Sequence, residues 1–240
     1  MDHPAVARRR APLALVLAVA TLLWSACAPA ADEEGEAEAR TDPTGPVSYV
    51  PTATGATWSY LPNGAPLSDP RVNVTIEGPT VLDGDVVTTW RQVGRGFDVR
   101  YFREHTGEGT FLFREERPGT IITFDPPIRE LPPGPLRVGA TWSGDTTATL
   151  RFPEAEEAQS REQLEVQWVY TVVDRRTVNV VAGEFEAFVL NFTSRSVNED
   201  GEVVDELTQE TWFSPYLGEV RTENGFVLVE SNLQGLPRAE

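Results

Sequence analysis

Reactive side chains are scarce in this sequence, and that scarcity bounds its chemistry. Beyond residue 26 there is one histidine, His105, and one cysteine, Cys27. A nucleophile–base pair of the Ser–His or Cys–His kind would have to recruit His105, which the pattern puts at a strand end beside Thr106 and Gly107. The chain has no Gly-x-Ser-x-Gly elbow and no phosphate-binding loop, so no catalytic residue is assigned, His105 included. One imidazole and one thiol cannot furnish a four-coordinate zinc site. Carboxylates, in contrast, abound, with 37 Asp and Glu. The stretches Asp83-Gly84-Asp85 and Asn198 to Glu206 bear some likeness to calcium loops, but neither has the ligand spacing of one. Asp-Gly between alternating runs reads as a hairpin turn instead. No metal and no cofactor is expected. A carboxylate pair for glycoside hydrolysis depends on which acids meet in space, and spacing along the chain leaves that open. Trp58, Trp90, Trp142, Trp168 and Trp212 either fill a core between sheets or line a sugar- or lipid-binding cavity.

Cys27 has a different context. Arg8-Arg9-Arg10 precede a nearly all-apolar run from Ala11 to Trp24, and small residues follow at Ser25 and Ala26. A spanning helix needs about 20 apolar residues, so this run is too short for a permanent anchor and suits the core of a secretory signal. Residues 1–26 are read as a signal peptide. The run Leu23-Trp24-Ser25-Ala26-Cys27 resembles a bacterial lipoprotein lipobox, in which the cysteine becomes the acylated first residue; Trp24 stands where Leu is usual. Ordinary cleavage at Ala26-Cys27-Ala28 or Ala28-Pro29-Ala30 is the alternative and would give a soluble periplasmic or secreted protein. Residues 27–46 form an acidic segment with too few apolar residues to offset chain entropy, so it reads as a disordered tether holding a domain clear of a membrane. With no second cysteine there is no intramolecular disulfide.

All 20 basic residues are arginine, and the net charge is −17. Removing residues 1–26 takes away three arginines and Asp2, which brings the charge to −19. Such a surface repels phosphate backbones, so nucleic acid is not an expected partner.

From residue 47 to 240 the pattern is that of a β-domain. Val72–Gly78, Val86–Val93, Phe97–Glu104 and Thr110–Glu116 alternate apolar and polar residues, with turn residues between them. No segment carries a helical period. The expected fold is all-β, an antiparallel meander forming a strongly curved sheet, an open barrel or a sandwich. Asp125 to Pro135 holds five prolines, which argues against a central strand there. Gly-Ala-Thr-Trp occurs at residues 55–58 and again at 139–142, each time after a proline-containing approach. Two related halves follow, about 47–124 and 136–233, joined by the proline-rich connection 125–135.

Three motifs resemble a broad group of bacterial secreted proteins and lipoproteins that share a domain of unknown function. Tyr49–Tyr60, "YVPTATGATWSY", is similar to their "YxPLxxGxxWxY" opening. Val180–Leu190 is similar to their "VPAGxFxAxxV" turn, with Val181 in place of proline, and Thr211–Arg221 to their closing "WYAPGVGLVK", with Tyr216-Leu217 in place of Gly-Val. The resemblance implies an exported antiparallel β-domain, often lipid-anchored, and implies no catalytic residues.

The expectation is an exported envelope protein, lipid-anchored at Cys27, with a non-enzymatic interaction or assembly role and the membrane or envelope proteins as partners. The alternative is a carrier or sensor holding an apolar small molecule or lipid in the concave face of the sheet. A carboxylate-based hydrolase comes third and needs two carboxylates facing each other in a cleft. Cys27→Ser is expected to abolish acylation, as read by metabolic labelling with a fatty acid; unchanged labelling would exclude Cys27 as the anchor.

Overall fold

The computed structural model describes residues 49–154, 161–197 and 202–233. The signal peptide, Cys27, the tether and the turn Asn198–Gly201 lie outside the described residues. Twelve strands follow one another: β1 (Thr57–Pro62), β2 (Val72–Leu82), β3 (Asp85–Gly94), β4 (Phe97–Thr106), β5 (Gly109–Arg117), β6 (Thr120–Leu131), β7 (Thr141–Arg151), β8 (Arg161–Val180), β9 (Gly183–Val197), β10 (Val203–Ser214), β11 (Gly218–Arg221) and β12 (Phe226–Ser231). Each pairs antiparallel with its neighbours in sequence, and β1 pairs with both β2 and β12. The fold is therefore all-β, as the alternation implies, and its meander closes into a barrel. Closure removes the two unpaired edges that an open sheet would present.

The two-residue period sorts side chains to the two sides of the wall. In β4, Val99, Tyr101, Arg103 and His105 share one face, and Asp98, Arg100 and Glu104 the other. Across the ladder Tyr101 meets Trp90 of β3 and Glu115 of β5, and all three point inward. The outward face carries ion pairs: Arg91 and Arg100 with Glu77, Arg175 with Glu186, Arg195 with Glu206. A wall facing hydrocarbon would carry an apolar band, since an Arg or Lys on a lipid face costs about 2–4 kcal/mol at the bilayer midplane. This outer face is built for water.

The two Gly-Ala-Thr-Trp segments adopt the same local geometry. Gly55 and Gly139 both have φ of 85°. Gly55 N–H donates to Ile76 O and Ile76 N–H returns to Ala56 O; Gly139 and Val172, with Ala140, repeat the arrangement at 2.8 and 2.9 Å. In each case the bonded partner lies on the following strand, directly before a register shift in that strand's pairing with the next. Each motif's tryptophan then stacks on an inward aromatic: Trp58 on Trp90 with centroids 5.2 Å apart, and Trp142 on Tyr170 at 5.3 Å. The motif is a strand-opening module that turns the chain into the wall and sets an indole inside it.

The proline-rich stretch corrects one expectation. β6 runs through Pro126 and Pro127 rather than ending before them. On the β5 side the ladder jumps from Thr123, opposite Arg114, to Ile128, opposite Leu112; on the β7 side it ends at Asp125. The prolines thus fall in a bulge where neither neighbour takes a ladder hydrogen bond from them.

The apolar interior is divided. The largest cluster joins Trp58, Tyr60, Val72, Ile76, Val178, Phe185, Leu217, Val220 and Leu228. A second gathers Leu131, Leu136, Val172, Phe188, Leu190 and Phe213, with Tyr49 against it. A third, Leu112, Ile128 and Trp168, is flanked by Tyr101, Trp142, Tyr170 and Phe192. A Cβ on residue 139 would meet nothing within 4 Å, so Gly139→Ala probes its backbone conformation alone. The expected cost is about 1–2 kcal/mol of stability by urea denaturation; an unchanged midpoint would refute the requirement for positive φ.

Candidate functional site

The inward faces of β4, β5, β6, β8 and β11 hold an unusual concentration of ionisable groups among these aromatics. Arg103 is the hub. Its Nε donates to Glu130 Oε2 at 2.6 Å and its Nη2 to Glu130 Oε1 at 2.9 Å, a two-pronged pair with both side chains largely buried. The same guanidinium lies 5.1 Å from the ring centre of Trp90 and 4.6 Å from that of Tyr101. Tyr101 donates its hydroxyl to Gln92 Oε1 at 3.1 Å, and Glu115 pairs with Arg117. From the opposite side come Glu219 of β11 and Glu223 of the turn that follows it, and Tyr60 donates its hydroxyl to the Glu219 carbonyl at 3.0 Å. Glu115, Glu130 and Glu219 thus share the lumen with two guanidiniums, on Arg103 and Arg117, while the Glu223 carboxylate accepts from the exposed Asn224 Nδ2 at 2.9 Å.

Burial and neighbouring charges set their protonation. The carboxyl of Glu219 is pushed up to about 8, first by burial and then by the Glu223 charge, with Arg103 opposing only in part. Glu223 is raised as well, chiefly by burial. Burial raises Tyr60, Tyr101 and Tyr170, so all three remain neutral phenols. For Arg103, burial works against the charge, but Glu130 outweighs it and the group stays cationic. His105 is lowered to about 4 by burial and then by Arg103, which leaves a neutral imidazole whose Nδ1 lies 3.1 Å from Thr110 Oγ1.

Two further features distinguish the lumen. Tyr101, Arg103, Glu130, Tyr170, Glu219 and Glu223 all keep some accessible surface although they lie deep within the wall. Several polar atoms inside are also left without a partner: Trp90 Nε1, His105 Nε2, Thr146 Oγ1, Trp168 Nε1 and Thr222 Oγ1. A buried polar group without a hydrogen bond costs about 1–3 kcal/mol, so such a cluster needs a reason. Trp168 is fixed by its cross-strand neighbour: a Cβ on Gly144 would lie 2.7 Å from its Cζ2, so only glycine lets the indole lie against β7.

The structure sorts the residues that the sequence singled out. His105 does face this lumen. Trp58, Trp90, Trp142 and Trp168 point inward. Trp212 is half-buried at the edge of the largest apolar cluster, between Arg176 and Arg221 at 5.2 and 4.7 Å, with its N–H on Glu210. Asp83-Gly84 is a hairpin turn with both residues at positive φ, and Asp83 pairs with Arg114. Among the described residues no group of three or more His, Cys, Asp or Glu is placed to hold a metal ion, and no helix is long and apolar enough to cross a membrane. Sequence reasoning missed Tyr101, Arg103, Glu115, Glu130, Glu219 and Glu223. One signal was available: in Tyr101-x-Arg103-x-His105 the face that should be apolar is polar.

No family model and no curated protein matches the chain. Two solved structures share its general shape. A candidate lipoprotein from Parabacteroides distasonis aligns at a TM-score of 0.41 and 11% identity over 78% of this chain and 100% of that one. A candidate exported protein with a YmcC-like fold from Bacteroides fragilis aligns at 0.44 and 14% identity over 77% and 99%.

The folded chain holds the Glu219 proton up to about pH 8, whereas an unfolded chain releases it near 4.5, so stability falls as pH rises between these values. His105 acts in the opposite sense: its contribution is full above 6.5 and is lost as pH falls toward about 4. Glu219→Gln is therefore expected to be stabilising at alkaline pH, by on the order of a few kcal/mol relative to its effect near pH 5. Urea denaturation across that range tests this, and parallel wild-type and variant profiles would count against it.

Proposed function

We propose that this is an exported envelope protein, lipid-anchored through Cys27, whose barrel is a non-enzymatic binding module for a small polar ligand with a flat apolar face. One observation carries the reading: the lumen presents aromatic planes, carboxylates and partnerless N–H and O–H groups together. A packed core would hide the aromatics and exclude the rest. A lipid-binding cavity would be lined by a continuous apolar face, and Arg103, Glu130, Glu219 and Glu223 interrupt it. The carrier or sensor reading thus gains over a pure assembly role, with a polar rather than an apolar cargo. The basic n-region, the short apolar run and the acidic tether support export and anchoring, and the charged outer wall suits a domain held in water beside a membrane.

A second reading has its own observation. The Glu223 charge raises the Glu219 carboxyl, and the hydrolase alternative asks for two carboxyls facing each other. Both are raised, however, and a retaining or inverting hydrolase needs one of the two firmly ionised, so binding is the better account.

Native mass spectrometry of the mature protein purified from its envelope fraction should show a reproducible extra mass, polar on extraction. Thr146→Trp, which fills the lumen from β7, should lose it. A clean protein mass, unshifted after incubation with the water-soluble extract of the envelope, would rule the binding module out.

A further inference from the structure

We propose that the first half of β10 is a self-pairing edge, through which two copies of the protein join as antiparallel strands centred on Leu207. This surface is separate from the lumen.

Closure leaves one stretch of the wall without a neighbour. β10 pairs with β9 along its whole length, from Val203 opposite Val197 to Phe213 opposite Phe188. Its other side meets β11 only at Trp212, Phe213 and Ser214, because β11 is four residues long. Among the described residues, Val203 to Thr211 therefore have no strand on that side. Alternate residues of an antiparallel strand point N–H and C=O away from a given neighbour, so a row of donors and acceptors lies open here. Val203 to Thr208 are also exposed on both faces, as befits a strand that outruns the wall beside it. Apolar side chains are bared with them: Val203 is 52%, Val204 59% and Leu207 41% exposed. No proline, glycine or basic residue interrupts Val203–Thr211. The register with β9 is unbroken from Asp205 to Phe213, and its single shift, at Val204, lies at the outer end.

Charge selects the partner. Glu206 is held by Arg195 at 2.8 Å and Glu210 by Arg221 at 3.4 Å, which leaves Asp205 as the acid of this stretch without an ion pair among the described residues. In a chain of net charge −17 such an edge is close to neutral, so it tolerates a copy of itself and needs no basic partner. Like charges directly opposite one another destabilise a ladder, and that fixes the register. Centring the pair on Asp205 or Glu206 sets an acid against its own copy. Centring it on Thr208 sets Glu206 against Glu210, and centring it on Gln209 runs into Trp212, where β11 already sits. Centred on Leu207, Asp205 faces Gln209, Glu206 faces Thr208, and the two leucines face each other. No acid then meets an acid directly.

The ends of the molecule agree with this pairing. Tyr49 packs at the far end of β10, with its ring 5.8 Å from that of Phe213. An antiparallel pair points the two Tyr49 ends away from each other, and only the open halves of β10 overlap. The contact is two-fold and closed, so it stops at a dimer. One strand edge is far smaller than a standard interface of about 1,600 Å², so the dimer is weak and reversible.

Sedimentation velocity of the mature protein over a concentration series is expected to show a monomer–dimer equilibrium. Leu207→Cys sets two thiols within the Cα separation that a disulfide spans and should give a covalent dimer on a non-reducing gel. Thr208→Cys, with its two copies more than about 7 Å apart in this register, should not. The wild-type protein, whose single cysteine is Cys27, is the blank. Thr208→Glu places a second acid against Glu206 in both symmetric pairs and should weaken the dimer about tenfold, whereas Thr208→Lys should tighten it by a similar factor. Both variants lose the same contact with the Thr193 hydroxyl, at 3.2 Å, so a merely structural effect would move them together. Circular dichroism checks that each is folded. Shifts of the same sign in both, or cross-linking at residue 208 and not at 207, overturn the proposal. So does a protein still monomeric at about 1 mM, whether hydrogen exchange then finds its β10 amides open or covered by another strand.

Discussion

A closed barrel of twelve strands has a wide interior to fill from its own wall. About eight strands give an interior just wide enough for packed side chains, and diameter grows with strand number. That width is the constraint on everything inside. Part of it is taken up by large aromatics stacked in pairs, Trp58 on Trp90 and Trp142 on Tyr170, each anchored by an indole N–H to a carbonyl on Leu217 or Arg129. Part is taken up by apolar clusters, and part by charged side chains.

Arg103 organises that charge. A guanidinium this deep is tolerable only with its donors satisfied and an opposite charge at hand, and the two-pronged pair with Glu130 supplies both. Its contact with Trp90 and Tyr101 ties the aromatic and ionic parts of the lumen into one unit, so that loss of Arg103 would strand Glu130 as well. The carboxylates opposite have no such arrangement. Glu219 avoids the cost of burial by keeping its proton, which makes it the most readily altered group in the interior.

The outer face obeys a different rule. There Arg91, Arg100, Arg175 and Arg195 meet acids across neighbouring strands at partly exposed positions, where each pair contributes little to stability but keeps the wall wet.

The division between what sequence and structure each decide runs along physical range. Strand alternation and the Asp83-Gly84 and Arg95-Gly96 turns are local, and the sequence by itself determined them. The repeated Gly-Ala-Thr-Trp was legible as a strand opener because its task, a positive-φ glycine feeding an indole into the wall, is completed within a few residues. The prolines of β6 misled, because whether a proline breaks a strand depends on whether both neighbours need its ladder bond, and a bulge decided that they did not. Closure was hidden too: it rests on β1 meeting β12, and no local pattern encodes a pairing across the whole chain. The lumen was least legible of all. Arg103, Glu130 and Glu219 are separated by long stretches of sequence and look like ordinary surface charges until closure turns their side of each strand inward. Tertiary structure alone made them neighbours, because curvature, not sequence spacing, determines which side of a β-wall is inside.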